Sequence, residues 1–121
     1  MADETWAMEY SDGSNNQILV WQDGPVVRYT YQPGTPSGRA SSAPSTSGRL
    51  PDALVIELWS RVQALAGHRE WHTEIRTTDS GAFTVAIGED EQHFRVGPCR
   101  ALADFRAWIH GSLQLDHRRT P

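Results

Sequence analysis

Gln17-Ile18-Leu19-Val20-Trp21-Gln22-Asp23-Gly24-Pro25-Val26-Val27-Arg28-Tyr29-Thr30-Tyr31-Gln32 holds two β-rich runs separated by a turn. Asp-Gly accepts the positive φ angles of tight hairpin turns, so Asp23-Gly24 predicts antiparallel pairing of 17–22 with 26–32. In the returning run Val27, Tyr29 and Tyr31 share one face, and Arg28 and Thr30 take the other. The outgoing run is apolar on both faces, with Ile18 and Val20 competing against Leu19 and Trp21 for burial. Such a strand in a small domain calls for cover on its second side: a loop, a second copy of the chain, or a partner. Trp21, Tyr29 and Tyr31 together facing solvent would form a stacking platform for bases or sugars; facing inward they are core.

The same alternation extends outward from this hairpin. Residues 5–11 place Trp6, Met8 and Tyr10 on one face, with Ala7 and Glu9 opposite, and Asp12-Gly13 marks a turn. After the hairpin, residues 33–49 are rich in Ser, Pro and Gly and contain no large apolar side chain, which predicts a flexible loop. Leu50-Pro51-Asp52 then opens a helix, with proline suited to the first turn and the carboxylate to the positive end of the dipole. Leu54, Leu58, Val62 and Leu65 give it one apolar stripe, and Gly67 suits its end.

The second half is expected to repeat the plan. Residues 70–78 alternate, with Trp71, Thr73, Ile75 and Thr77 on one face and His72, Glu74 and Arg76 on the other. Phe83, Val85 and Ile87 mark another strand, Gly88 to Glu91 a turn, and Phe94 and Val96 a third strand with His93 and Arg95 outward. Gly97-Pro98 precedes a second helix with Leu102, Phe105, Ile109 and Leu113 as its stripe, and the tail from Asp116 is expected to fray. The predicted order is therefore βββα-βββα in a single domain, 1–121. Two singly striped helices need one sheet face to cover, so the class is α+β: a two-layer fold whose curved, mainly antiparallel sheet carries both helices on one side.

Composition narrows the function. The chain has 121 residues, 38% of them hydrophobic, and a formal net charge of −4, which disfavours phosphate backbones and so general nucleic-acid binding. All 11 of its basic Lys/Arg residues are arginine. The single cysteine, Cys99, excludes an internal disulfide framework; at a helix start it packs as a small residue or acts as a reactive thiol. The opening Met1-Ala2-Asp3-Glu4 is acidic, no apolar run follows it, and no membrane span stands out, so the cytoplasm is the expected compartment.

Chemistry-bearing motifs are missing. The five histidines form no helical pair or HExxH, and no Walker loop, Gly-x-Gly-x-x-Gly or Gly-x-Ser-x-Gly is present. No catalytic residue, metal or cofactor is therefore assigned, and an enzyme is not expected. The first functional expectation is a protein-binding module of inhibitor or toxin-immunity type, its partner a toxin or protease. Contact is expected from an open sheet face (His72, Glu74, Arg76, His93, Arg95) and an acidic hairpin tip (Glu89, Asp90, Glu91). The alternative is an enzyme or small-ligand protein with a pocket between sheet and helices, lined by Trp59, Trp71 and Trp108. A self-associating subunit, such as a homodimer, is the third reading.

Part of the chain also resembles a known family. Thr73-Glu74-Ile75-Arg76, Phe83-Thr84-Val85-Ala86-Ile87, Phe94-Arg95-Val96-Gly97-Pro98 and Leu102 to Trp108 are similar to the hairpin and closing helix of emfourin-like proteins, and Leu50-Pro51 to the start of their earlier helix. The resemblance covers about half the chain and implies a small bacterial inhibitor of thermolysin-type metalloproteases. The chain departs from the family where Tyr10-Ser11-Asp12-Gly13 replaces a Gly-Gly-Phe-Ala-like segment, and no inhibitory residue carries over.

Overall fold

A computed structural model describes residues 5–34 and 45–113. One six-stranded antiparallel sheet is built from β1 (Trp6–Asp12), β2 (Gln17–Asp23), β3 (Val26–Gln32), β4 (Thr46–Leu50), β5 (Gly81–Ile87) and β6 (Asp90–Val96). Its spatial order is β4-β3-β2-β1-β5-β6, and the curved sheet does not close. Two helices, α1 (Asp52–Gly67) and α2 (Arg100–Leu113), pack on one face, so the class is the expected two-layer α+β fold.

The β2–β3 hairpin pairs as its sequence predicts, with Val20 opposite Tyr29 and Ile18 opposite Tyr31, and Gly24 supplies a φ of 62° at the turn. This register settles the two-sided strand. Ile18 and Val20 enter the core while Leu19 and Trp21 face away from the helices. Beneath the helices, Met8, Tyr10, Phe83 and Val85 from the two central strands meet Leu58, Val62 and Leu65 of α1 and Leu102, Phe105 and Ile109 of α2. Tyr10, Phe83 and Phe105 form an aromatic centre with ring centroids 5.0–5.4 Å apart, the offset and edge-on geometry that aromatic rings favour.

Two elements differ from expectation. The fourth strand lies before the first helix, inside the stretch expected to be a loop, so the order is βββ-β-α-ββ-α. Thr46–Leu50 pairs with β3 in the register Val27 with Leu50, Tyr29 with Gly48 and Tyr31 with Thr46. Only Leu50 is buried among its large side chains; at Gly48 the Tyr29 ring covers the backbone, and a Cβ there would stand 2.9 Å from it. Backbone pairing plus one borrowed aromatic does the work usually done by a strand's own side chains. Residues 35–44 and the tail from 114 lie outside the described residues, and with them those parts of the loop and fraying expectations.

Residues 70–78 do not form a strand. Arg69–Trp71 is a short 3-10 turn, one bridge joins His72 to Val96, and the chain then crosses the end of the sheet as coil. Topology explains this. β5 starts beside the end of β1, Gly81 opposite Asp12, so the chain must travel from α1 to that corner before it can enter the sheet. Ile75, expected inward, is 68% exposed on the way. The crossing is pinned where Gly13 meets the Thr77 backbone so closely that no Cβ would fit. Among the described residues no helix is long and apolar enough to cross a membrane.

Candidate functional site

The face opposite the helices carries no other layer among the described residues, and its register defines what it presents. Reading outward from β2 to β6, one row runs Gln17, Ser11, Ala82, Arg95; the next Leu19, Glu9, Thr84, His93; the third Trp21, Ala7, Ala86, Glu91. The rows continue over β3 and β4 with Arg28, Arg49, Thr30 and Ser47. Except for Glu9, the two middle strands present only alanine, serine and threonine. They form a trough with an apolar wall (Leu19, Trp21) and a charged wall (Glu91, His93, Arg95). Its walls stand three strand spacings apart, about 14 Å.

The charged wall is held in place by local bonds. The Thr84 hydroxyl lies 3.0 Å from His93 Nδ1, and His93 Nε2 lies 3.2 Å from Glu91 Oε1. An imidazole protonated at Nε2 satisfies both contacts: it donates to the carboxylate and accepts from the hydroxyl. Arg95 Nη1 donates to the Glu74 carbonyl at 3.3 Å. Arg76 donates through Nη2 to Asn15 Oδ1 at 2.7 Å and to the Gly13 carbonyl at 3.3 Å. Two depressions open beside these residues. One of about 400 Å³ is lined by Glu74, Ala82, Thr84, His93 and Arg95 among others. The second, about 170 Å³, lies between Arg76 and Arg95 and shares Ala82 and Arg95 with the first.

The structure therefore brings together Glu74, His93 and Arg95, with Arg76 at the adjoining corner, but by a different route from the one expected. Glu74 and Arg76 arrive on coil, not on a sheet strand. His72 is turned to the helix side: it stacks on Phe94 with centroids 5.1 Å apart, and its Nε2 donates to the Leu65 carbonyl at 2.9 Å. It ties the chain after α1 to the core and leaves the open face. Glu89, Asp90 and Glu91 are exposed at the β5–β6 tip as expected, with only Glu91 joined to the charged wall.

The expected tryptophan pocket is not assembled. Trp59 packs edge-on against Trp6 at 4.8 Å, Trp71 stacks on His68 at 4.1 Å, and Trp108 lies under the Arg61 guanidinium at 4.9 Å. A depression of about 180 Å³ between the helices is lined by Trp71, Arg61 and Asp104 but by neither other tryptophan. Helical spacing separates them: Trp59 and Trp108 flank their helices' buried stripes. The aromatic platform is likewise divided, because Trp21 stands opposite Arg28 on the open face while Tyr29 and Tyr31 face the helices. Cys99 sits half-buried against the core just before α2, and its carbonyl accepts the Ala103 N–H at 3.1 Å. No group of three or more His, Cys, Asp or Glu residues that could hold a metal occurs among the described residues.

Sequence reading missed two features. The trough is one: Ala7, Ser11, Ala82, Thr84 and Ala86 alternate with core residues, but small outward residues carry no chemical signal of a site. The other is Arg106, whose Nε donates to the buried Tyr10 hydroxyl at 3.2 Å and whose Nη2 donates to the Asp79 carbonyl at 3.3 Å. Burial raises the Tyr10 pKa in spite of the opposing hydrogen bond and charge of Arg106. Burial alone would lower the Arg106 pKa, but the Tyr10 hydrogen bond and nearby charges raise it. This pair fastens α2 to β1 and to the turn before β5.

No protein-family model, curated protein or solved structure matches the chain.

Proposed function

We propose that the chain is a protein-recognition module that meets its partner through the open sheet face. The observation that carries the reading is the trough itself. A floor of small side chains over two central strands, interrupted by Glu9, with apolar and charged walls, admits another backbone element closely. A partly apolar patch with a charged rim is the anatomy of a protein interface. The finer reading is a cytoplasmic inhibitor or immunity protein acting on a protease or toxin. The emfourin-like segments support the protease branch of it.

The test places a photo-crosslinking residue at Thr84, on the trough floor, or at Gln63, on the exposed side of α1. We expect a discrete protein adduct in source lysate from position 84 and none from position 63. Ala86→Arg, which fills the trough beside it, removes capture from position 84. Equal adducts from both positions, or none from position 84, would overturn the reading. Incubation with a thermolysin-type protease then decides the protease branch, loss of proteolysis supporting it and full activity refuting it.

A further inference from the structure

We propose that the depression between Arg76 and Arg95 receives a single carboxylate of the partner, an aspartate or glutamate side chain or a chain terminus. The proposal rests on the open-face reading and names the chemistry of one of its contacts. Two arginines converge here from unrelated parts of the chain. Arg95 projects from β6, and Arg76 comes from the coil crossing the sheet end. Both line the same depression of about 170 Å³, whose floor includes Ser11 and Ala82.

Their bonding differs from that of Arg28 and Arg61. Arg28 has Asp23 at 2.6 Å, and Arg61 has Glu57 at 2.7 Å. Arg76 and Arg95 have no carboxylate partner among the described residues, and every acceptor they reach is neutral: Gly13 O, Asn15 Oδ1 and Glu74 O. Each guanidinium carries five N–H donors in a fixed fork, so donors remain for an incoming group. The contacts that exist hold the two side chains without neutralising them.

One carboxylate already lines the depression, and it shapes the choice of ligand. Asp12 Oδ1 accepts the backbone N–H groups of Ser14 at 2.9 Å and Asn16 at 3.0 Å, and Oδ2 accepts Asn16 Nδ2 at 2.9 Å. Its oxygens serve its own turn, but its charge remains. Two guanidinium charges against one leave room for a monoanion. The further cation near Asp12, Arg106, is already bonded to the Tyr10 hydroxyl and the Asp79 carbonyl, so a phosphate dianion would meet more repulsion from Asp12 than a monoanion does. A planar carboxylate also matches the guanidinium fork. The net charge of −4 on the chain disfavours large polyanions at a distance, so selectivity for an isolated carboxylate follows from both local and global charge.

The arginine Nε–Hε NMR resonances report this directly. The full chain is titrated with a blocked glutamate (acetylated, amidated at its main-chain carboxyl), with inorganic phosphate, and with sodium chloride at matched ionic strength. The Arg76 and Arg95 signals should shift together and saturate in the millimolar range with blocked glutamate, while those of Arg28 and Arg61 stay put. Arg95→Gln should weaken the Arg76 response by about tenfold, since one of two forks is lost. Arg76 also holds the turn at Gly13, so Arg95→Gln is the primary variant, with an unchanged melting curve as its control. Absence of saturation, an equal response to chloride, or tighter saturation by phosphate would overturn the proposal. If the titration fails while position 84 still captures a partner, the carboxylate site falls and the open-face reading stands. Loss of capture at position 84 refutes the latter whatever the titration shows.

Discussion

Beneath the helices, Met8, Tyr10, Ile18, Val20 and Phe83 are closed off from water by two amphipathic stripes; on the reverse of the same strands, Leu19 is 41% exposed among alanine, serine, threonine and charge. The strands contribute equally to both faces, since their side chains alternate. The difference lies in what each face meets. The covered face gains its stability from apolar area and close packing, so its residues are fixed by volume. The reverse face contributes backbone pairing and little else to folding. Its residues are therefore less constrained by volume, and a substitution there should cost the fold little.

The largest effect is expected at the aromatic centre. Phe105→Ala removes the ring that sits 5.2 Å from Tyr10 and 5.4 Å from Phe83, and should cost about 3–5 kcal/mol by transfer and cavity terms together. Urea denaturation measures it through the midpoint. A loss this large is a sizeable part of the stability of a domain of this size, so partial unfolding at room temperature is the expected extreme. If Trp21→Ala on the reverse face cost as much, the division between the faces would fail.

Overpacking probes the same face from the opposite direction. A Cβ added at Gly81 would stand 2.7 Å from a Tyr10 ring carbon and 3.1 Å from a Leu102 methyl. Gly81→Ala should destabilise by about 1–3 kcal/mol, since both neighbours are fully buried and have nowhere to yield. A neutral or stabilising result would mean the corner where β5 enters the sheet is looser than its packing indicates.

Tyr10 offers a smaller, pH-dependent test. Tyr10→Phe deletes the acceptor for Arg106 and should cost about 0.5–1.5 kcal/mol near neutral pH. Because burial raises its pKa in the folded state, the phenol loses its proton earlier when unfolded. Below about pH 10 both states keep the proton and the contribution is whole; above it the unfolded chain ionises first, and stability falls as pH rises toward the folded value. The wild-type chain should therefore lose stability more steeply at alkaline pH than Tyr10→Phe. Parallel curves would refute the assignment.

Legibility in the sequence followed the same division between faces. Strands β1, β2, β3, β5 and β6 and both helices are readable because each carries its own buried or half-buried apolar residues at the period of its element. Thr46–Leu50 was not, because at Gly48 it borrows the Tyr29 ring, and a borrowed side chain leaves no trace in local periodicity. Residues 70–78 misled for the reverse reason: they alternate without being buried, and only the topology of β5 shows why they cannot pair along the sheet. His93 and Arg95 were correctly placed outward by strand phase. The meeting of Arg95 with Arg76 is invisible, because it depends on where the crossing coil is pinned against Gly13.

The smallest expected stability change is on the reverse face, and it is the most discriminating. Leu19→Lys exchanges an exposed leucine for a charge opposite Glu9 and beside Thr30. The Lys–Glu cross-strand pair offsets part of the lost apolar area, so the net change should stay within about 0.5 kcal/mol. Ala86→Arg should behave alike, because it removes no hydrogen bond and places its charge opposite Glu91. Partner capture through the trough should nonetheless be lost in both. Stability and recognition would then separate by face within a single pair of variants. A fall in denaturation midpoint comparable to that of Gly81→Ala would show instead that the reverse face carries folding energy, and that the loss of capture is no evidence for an interface there.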